Sequence, residues 1–377
     1  MNAVPLRQSF VHRISTAAPD DVSGLNALIG SGAIEPENIV SIMGKTEGNG
    51  CVNDFTRGFA SAALKACLLQ FLPPSKLHDI SIIMSGGTEG ALAPHILVFE
   101  VRTVSATQEA HALAIGTSTT QPLPFDELGR VGQAALVAEG VRAAMQNAGI
   151  TKAADVHFVQ IKCPLLTLER IEQSEAAGKK TATRDTLKSM GLSRAASSLG
   201  VALALEELDQ TQICDAMIGS DFTVFSAKAS ASAGVELLGH EILVIGNAPG
   251  WCGPLRSNHC VMRDAIDIAP VRSALEALGI PDRASCVALL AKAEASSNGQ
   301  LRGFRHTMLN DSDISSTRHA RAFVAGALAG LVGHAEIYVS GGAEHQGPDG
   351  GGPVCIIASK NTPAKNTKGA TPARSGT

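Results

Sequence analysis

The sequence predicts an α/β protein made of three similar domains about a pseudo-threefold axis, and three observations predict it. A glycine turn, Met84-Ser85-Gly86-Gly87-Thr88-Glu89-Gly90, is nearly repeated at Val339-Ser340-Gly341-Gly342-Ala343-Glu344-His345. Between them, Ser232-Ala233-Gly234-Val235-Glu236 keeps the serine, the second glycine and the glutamate four residues on. Ahead of each serine come a lysine ending a β-rich run and an arginine near the start of a helical one: Lys45/Arg57/Ser85, Lys162/Arg194/Ser232 and Lys292/Arg321/Ser340. Recurrence at about 110 to 130 residues is too long for a solenoid and fits whole domains. The predicted repeats are 1–104, 110–250 and 255–359, with seams in the polar 103–108 region and at the turn 250–257. Residues 360–377, rich in Lys, Thr, Pro, Ala and Gly without pattern, are predicted to be a disordered tail.

In the first repeat, residues 22–38 read as a short helix and connection. Ile39-Val40-Ser41-Ile42-Met43 is a strand that delivers Lys45. Asn53 or Asp54 caps a helix reaching about Phe71, with Phe55, Phe59, Ala62, Ala63, Ala66 and Leu69 at helical spacing and Arg57 in the first turn. Pro73-Pro74 stops it, and Ile80–Met84 is a strand leading to Ser85. In the second repeat, Val156–Ile161 is a strand ending at Lys162, Ser193 caps a helix with Arg194 in its first turn, and Phe222–Ala229 leads to Ser232. In the third, Cys286–Ala291 ends at Lys292, a helix begins near Ser315-Ser316-Thr317, and Glu336–Val339 delivers Ser340. Arg57 to Leu64 and Arg321 to Leu328 match in register at Arg, Phe, Ala and Leu.

Composition narrows the function. A chain of 377 residues, 45% hydrophobic, can bury substantial cores. A net charge of −4 with no face-sized basic cluster, and only 3% aromatic residues, argue against nucleic-acid partners. No apolar run reaches the roughly 18 residues of a membrane span, and residues 1–11 lack the pattern of a signal peptide, so a cytoplasmic location is expected. The eight cysteines form no C-x-x-C pair and there is no HExxH, which argues against zinc and disulfides. The histidines show no ligand spacing and are read as structural.

A lone serine after a strand is ordinarily a turn residue; three, each with a lysine and an arginine in equivalent places, point to chemistry. Arginines in first helical turns oppose the macrodipole unless they face an anionic or carbonyl-rich ligand. Serine with lysine and no placed histidine points to a Ser–Lys dyad, the neutral amine taking the hydroxyl proton. On a strand, residues two apart share a face, so Glu47 would hold Lys45 charged and Glu294 would hold Lys292, whereas Lys162 is followed by Cys163-Pro164. Lys162 is therefore expected as the base and Ser232 as the nucleophile, with Ser226 and Ser230 as rivals lacking the glutamate four residues on. The turns after the serines offer backbone N–H groups to a carbonyl oxygen. The glycine-proline run 343–353 lacks P-loop and dinucleotide spacing, but near a carboxylate such as Glu294 it suits a hard cation, Mg2+ or Ca2+.

Gly44-Lys45-Thr46-Glu47-Gly48-Asn49-Gly50-Cys51-Val52-Asn53-Asp54, Met84–Gly90, Lys162-Cys163-Pro164-Leu165-Leu166 and Ser340–Pro348 resemble the cyanuric acid hydrolase and barbiturase family over residues 5 to 359. The resemblance implies a ring-opening amidohydrolase with no organic cofactor and no catalytic zinc: three α/β repeats around a central β-barrel with outer helices, assembled as a homotetramer. It implies Ser232 and Lys162 as nucleophile and base. Substrate contacts would come from Arg57, Ser85, Gly86, Arg194, Ser232, Ala233, Arg321, Ser340 and Gly341, with Lys45 and Lys292 completing the outer dyads. A structural metal is implied at Glu294, Ala343, Gln346, Gly347, Pro348 and Gly351, mostly through backbone oxygens. The motif Gly50–Arg57 is nearer cyanuric acid hydrolase than barbiturase, and a non-catalytic ring-binding protein on the same scaffold is the remaining alternative.

Overall fold

The computed structural model describes residues 4–106, 110–280 and 283–360; the predicted tail beyond 360 lies outside them. The chain runs β1 (Val4–Ser15), α1 (Ser23–Gly30), β2 (Ile39–Thr46), α2 (Phe55–Leu68), α3 (Pro74–Leu77), β3 (Ser81–Gly86) and β4 (His95–Ala106). Next come β5 (Ala110–Thr119), α4 (Val131–Ala148), β6 (Val156–Pro164), α5 (Leu168–Ala176), α6 (Thr186–Ala204), β7 (Ala229–Gly234) and β8 (Glu241–Cys252). The last stretch is β9 (Leu255–Met262), α7 (Ala269–Ala277), β10 (Cys286–Ala293), the short β11 (Gln300–Leu301) and β12 (Phe304–Arg305), α8 (Ser316–Val332), β13 (Tyr338–Gly341) and β14 (Gly352–Ser359).

This is a mixed α/β fold. Strands pair in the order β3-β2-β4-β1-β8-β6-β7, with β5 also on β8, and a second sheet runs β13-β10-β14-β9. β1 and β8 meet only at Arg7↔Trp251 and Gln8↔Cys252. Three parallel pairs share one local register: Lys45 opposite Ser85, Lys162 opposite Ser232, and Lys292 opposite Ser340. The lysines and serines thus lie within the strand ends, which run one or two residues past the predicted stops. β4 passes straight through Thr103, and β7 begins only at Ala229, because Phe222–Lys228 is turn with one bridge from Ser226 to Gln346.

One apolar cluster, including Met43, Phe99, Phe158, Ile245, Leu290 and Tyr338, draws side chains from both large sheets. Each such buried aliphatic or aromatic residue contributes roughly 1.5–3 kcal/mol. The helices cover the other sheet faces in separate clusters.

Two helices differ from expectation. In α2, Asp54 is the N-cap and accepts from Thr56 N, as predicted. The face packed on the sheet, however, is Arg57, Ala60, Leu64, Cys67 and Leu68, while Phe55 and Phe59 are 84% and 54% exposed. The helix carries two apolar stripes, and the one with smaller residues fits closely on the strands. In α6 the cap is Asp185, accepting from Lys188 N, so Arg194 lies mid-helix. Ser193 is buried and accepts from Gln133 Nε2 at 2.9 Å instead. Arg321 sits in the second turn of α8, so the argument from first-turn placement holds for Arg57 alone.

Candidate active site

Each crossing sets a lysine opposite a serine on a parallel strand pair, the amine meeting the hydroxyl at Lys45–Ser85 and Lys292–Ser340, and the three serines converge. Ser232 Oγ lies 3.3 Å from Ser340 Oγ, and Ser85 Oγ donates to Ser340 Oγ at 3.5 Å. Gly86, Ala233, Gly341, Arg57, Arg194 and Arg321 line the same small cavity, joined by Met190 and Gly50. It adjoins a vestibule of about 560 Å³ that shares Gly50, Arg194, Arg321 and Gly341. Every expected substrate-contact residue is therefore at one place. Ser226 and Ser230, the rival nucleophiles, are engaged elsewhere: Ser230 donates to Gln160 Oε1, and Ser226 Oγ accepts from Lys228 N and Ala229 N.

The three lysines are all buried but not equivalent. Lys45 Nζ donates to Ser85 Oγ at 3.1 Å, and Lys292 Nζ to Ser340 Oγ at 3.2 Å. Burial first, then the charge of Arg321, holds Lys45 well below the usual lysine range. Burial and then Arg194 bring Lys292 to about 7. Lys162 Nζ donates to Met84 O at 3.1 Å and pairs with Glu236 Oε1 at 2.9 Å. This corrects the expectation that Lys162 alone lacks a carboxylate neighbour. Glu236 returns to it from four residues beyond Ser232, a contact made by the turn after β7 that strand-face spacing does not anticipate. Glu47, expected beside Lys45, points to solvent.

Glutamates at the equivalent offset bind arginines. Arg321 donates to Glu89 through Nε at 2.7 Å and NH2 at 2.5 Å, and Arg194 to Glu344 through the same atoms at 2.8 and 2.6 Å. Burial works to raise Glu89 and Glu344, and the bonded arginines overcome it, leaving both below the ordinary carboxylate range. The second glycine of each Ser-Gly-Gly turn has positive φ, 105° at Gly87 and 74° at Gly342. A Cβ there would lie 2.1 Å from Arg321 or 2.5 Å from Arg194. Backbone conformation and room for the guanidinium both require glycine.

Sequence reasoning used these glutamates only as register marks; their fixed distance from each serine was the available signal. It also treated Asp54 solely as a cap, yet Asp54 accepts from Gly50 N at 2.8 Å and so holds the loop that borders the cavity. Tyr338, the chain's single tyrosine, was missed. It lies two residues before Ser340 on one strand face, is fully buried, and burial raises its phenol to about 12 against the influence of Ser232 and Ser85.

At the expected metal position, Glu294 follows β10 and accepts from Ala295 N, Thr317 Oγ1 and Gly342 N. Burial, then the charge of Glu344, raises its carboxyl. Ala343, Gln346, Gly347, Pro348 and Gly351 lie in the loop that begins at Gly342. The Gln346 side chain is committed to Ala231 N and Gly342 O, leaving main-chain oxygens as the available donors. Among the described residues no group of three or more His, Cys, Asp or Glu gathers, so a cation here would rest on one carboxylate and backbone oxygens, a donor set that fits a hard ion.

Comparison with known proteins agrees in one direction. The family described as amidohydrolase ring-opening protein matches residues 10–359. A cyanuric acid amidohydrolase of Azorhizobium caulinodans is 60% identical over 350 residues, covering 93% of this chain and 98% of the relative. One of Enterobacter cloacae is 48% identical over 366 residues, covering 93% and 99%. The crystal structure of a cyanuric acid hydrolase from A. caulinodans superposes with a TM-score of 0.90 at 58% identity, covering 95% of this chain and 100% of that one.

Proposed function

We propose, on the premise that this chain belongs to the family of ring-opening amidohydrolases, that it is a cyanuric acid amidohydrolase. It opens the s-triazine ring at an amide C–N bond to carboxybiuret, which loses CO2 to give biuret. The observation that carries the reading is the meeting of three serine hydroxyls, those of Ser232 and Ser85 lying 3.3 and 3.5 Å from that of Ser340, in a cavity lined by three arginines. Cyanuric acid alternates three carbonyls with three N–H groups, so one ring answers three Ser/Lys/Arg sets, and a planar, mildly acidic imide suits guanidinium.

In this reading Ser232 Oγ attacks a ring carbonyl carbon while Lys162 Nζ takes its proton. Backbone N–H groups of the serine turns polarise the oxygen, and the proton passes to the departing ring nitrogen. Water then releases the acyl group from Ser232. A second assignment is favoured by one observation: Lys292, lowered by burial to about 7, donates a hydrogen bond to Ser340 Oγ. Ser340 would then be the nucleophile and Lys292 its base.

The finer architecture belongs to the same proposal. The equal Lys/Ser registers and the shared apolar cluster support three repeats, 1–104, 110–250 and 255–359, about a central β-barrel. Glu294, which accepts from Gly342 N where the 343–351 loop begins, supports a structural Mg2+ or Ca2+ beside that loop, which would brace it behind Ser340. The exposed stripe of Phe55, Phe59 and Leu69 supports burial between copies in a homotetramer. No helix among the described residues is long and apolar enough to cross a membrane; a cytoplasmic location is part of the proposal. Following the ultraviolet absorbance of cyanuric acid and of barbituric acid with purified protein tests the substrate. Loss of the cyanuric acid signal is expected, and turnover of barbiturate alone would overturn the choice.

A further inference from the structure

A first-turn arginine does stand in the third repeat, and it is Arg318 rather than Arg321. It is the third residue of α8, which begins at Ser316, so its charge lies against the positive end of that helix. It also lines the vestibule of about 560 Å³ that adjoins the serine cavity. The charge around it does not balance. Glu89 is the carboxylate beside it, and both Glu89 oxygens are already bonded by Arg321. Arg318 Nε lies 3.7 Å from Glu89 Oε1, beyond hydrogen-bond reach, and is buried without a partner, while the side chain as a whole is 33% exposed. The other charges of the vestibule wall cancel in pairs. Arg194 is clasped by Glu344, and Lys188 stands three residues from Asp185, which accepts from its main-chain N–H. One guanidinium is left over, because Arg321 and Arg318 share a single carboxylate.

We infer that the vestibule is an anion-capture subsite and that Arg318 gives it this character, drawing the ring toward the serines ahead of any chemistry. The inference rests on the cyanuric acid reading. A cyclic imide is mildly acidic, and its anion spreads charge over planar O–C–N edges, a shape that guanidinium recognises. A partly buried cation acts through a lower effective dielectric than a solvated one and raises the local concentration of an anion. The vestibule shares Arg321 and Gly341 with the serine cavity, so a ring held at Arg318 is handed to the Arg321 guanidinium and then to the Ser340 turn. The same placement explains why a cation is kept in the first turn of α8: it faces the route of an anionic ligand. Arg318 is not among the residues lining the serine cavity. Its effect therefore falls on capture, moving KM and kcat/KM but not kcat.

The test is steady-state turnover of cyanuric acid by the wild-type protein and by Arg318→Gln, Arg318→Lys and Arg318→Glu, each from about 20 to 500 mM salt. Wild-type kcat/KM is expected to fall as salt rises. Arg318→Gln should lose roughly 10-fold in kcat/KM at low salt, with kcat within about twofold, and its salt dependence should be flatter. Arg318→Lys should keep most of the wild-type value and slope. Arg318→Glu should fall below Arg318→Gln and recover as salt is added. Equal slopes in the wild type and Arg318→Gln overturn the capture role. So does a loss in kcat that matches the loss in kcat/KM, which would make Arg318 a support for the Glu89–Arg321 pair, and so does an Arg318→Lys protein as impaired as Arg318→Gln. A wild-type protein that turns over no cyanuric acid overturns instead the functional reading on which capture rests.

Discussion

Lys162 and Glu236 form an ion pair of 2.9 Å, Nζ to Oε1, whereas Lys45 and Lys292 point their amines at the hydroxyls of Ser85 and Ser340. The site is thus asymmetric at the lysine expected to act as base. Substituting the serines one at a time reads out which copy does the chemistry. Ser232→Ala should lose turnover by on the order of 10⁴-fold or more while still binding the ring in calorimetry. Ser85→Ala and Ser340→Ala should lose on the order of 10²–10³-fold, the effect of removing one polarising donor. A silent Ser340→Ala alternative exists only in reverse: if Ser340→Ala is dead and Ser232→Ala active, the Lys292–Ser340 assignment replaces the first.

Arg321 binds Glu89 through two nitrogens in a nearly buried setting. Lysine has one ammonium and cannot reproduce the fork. Arg321→Lys should lower the unfolding free energy by about 1–3 kcal/mol and raise KM, because the same guanidinium borders the cavity. Urea midpoints and steady-state kinetics check the two parts, and an unchanged midpoint would show that the pair holds no net stability.

Gly86 and Gly58 give a matched contrast. A Cβ on Gly86 would stand 1.7 Å from Asp54 Oδ2, the carboxylate that caps α2 and holds Gly50 N. Gly86→Ala should displace Asp54, costing about 1 kcal/mol of capping and roughly 100-fold or more in kcat/KM as the loop bordering the cavity shifts. Gly58 lies in α2 with nothing within 4 Å of an added Cβ. Gly58→Ala should raise stability by about 0.5–1 kcal/mol with activity unchanged. Thermal melts and rates on both variants decide, and equal effects at the two positions would contradict the contrast.

The strands, the order Lys-Arg-Ser and the Asp54 cap were legible because each depends on a few neighbouring residues. The packed face of α2 was not, since Phe55 and Phe59 repeat at the same helical interval as Ala60 and Leu64, and periodicity cannot say which stripe meets the sheet. Arg194 was misplaced within its helix because Ser193 is as good a cap in sequence as Asp185. The Lys162–Glu236 pair was hidden for a different reason. It joins a residue of β6 to the turn after β7, and strand-face spacing sees only neighbours along one strand.

Glu241 opens a pH test. It stands opposite Lys162 across β8 and β6, and its Oε2 is buried without a hydrogen-bond partner. Burial, aided by the charge of Glu236 and opposed by Lys162 and Lys65, raises the carboxyl to about 7. An unfolded glutamate releases its proton near 4.3. Between those values the folded chain holds a proton that the unfolded chain has lost, so stability falls as pH rises through this window. The contribution is fully present below about 4.3 and gone above about 7. Glu241→Gln has no proton to lose and keeps a neutral side chain of the same shape. At pH 4 the two proteins should differ little, and at pH 8.5 the variant should be more stable by about 1–3 kcal/mol. Denaturant midpoints at the two pH values measure it, and a difference that does not change between them would mean that Glu241 is not buried as a neutral acid.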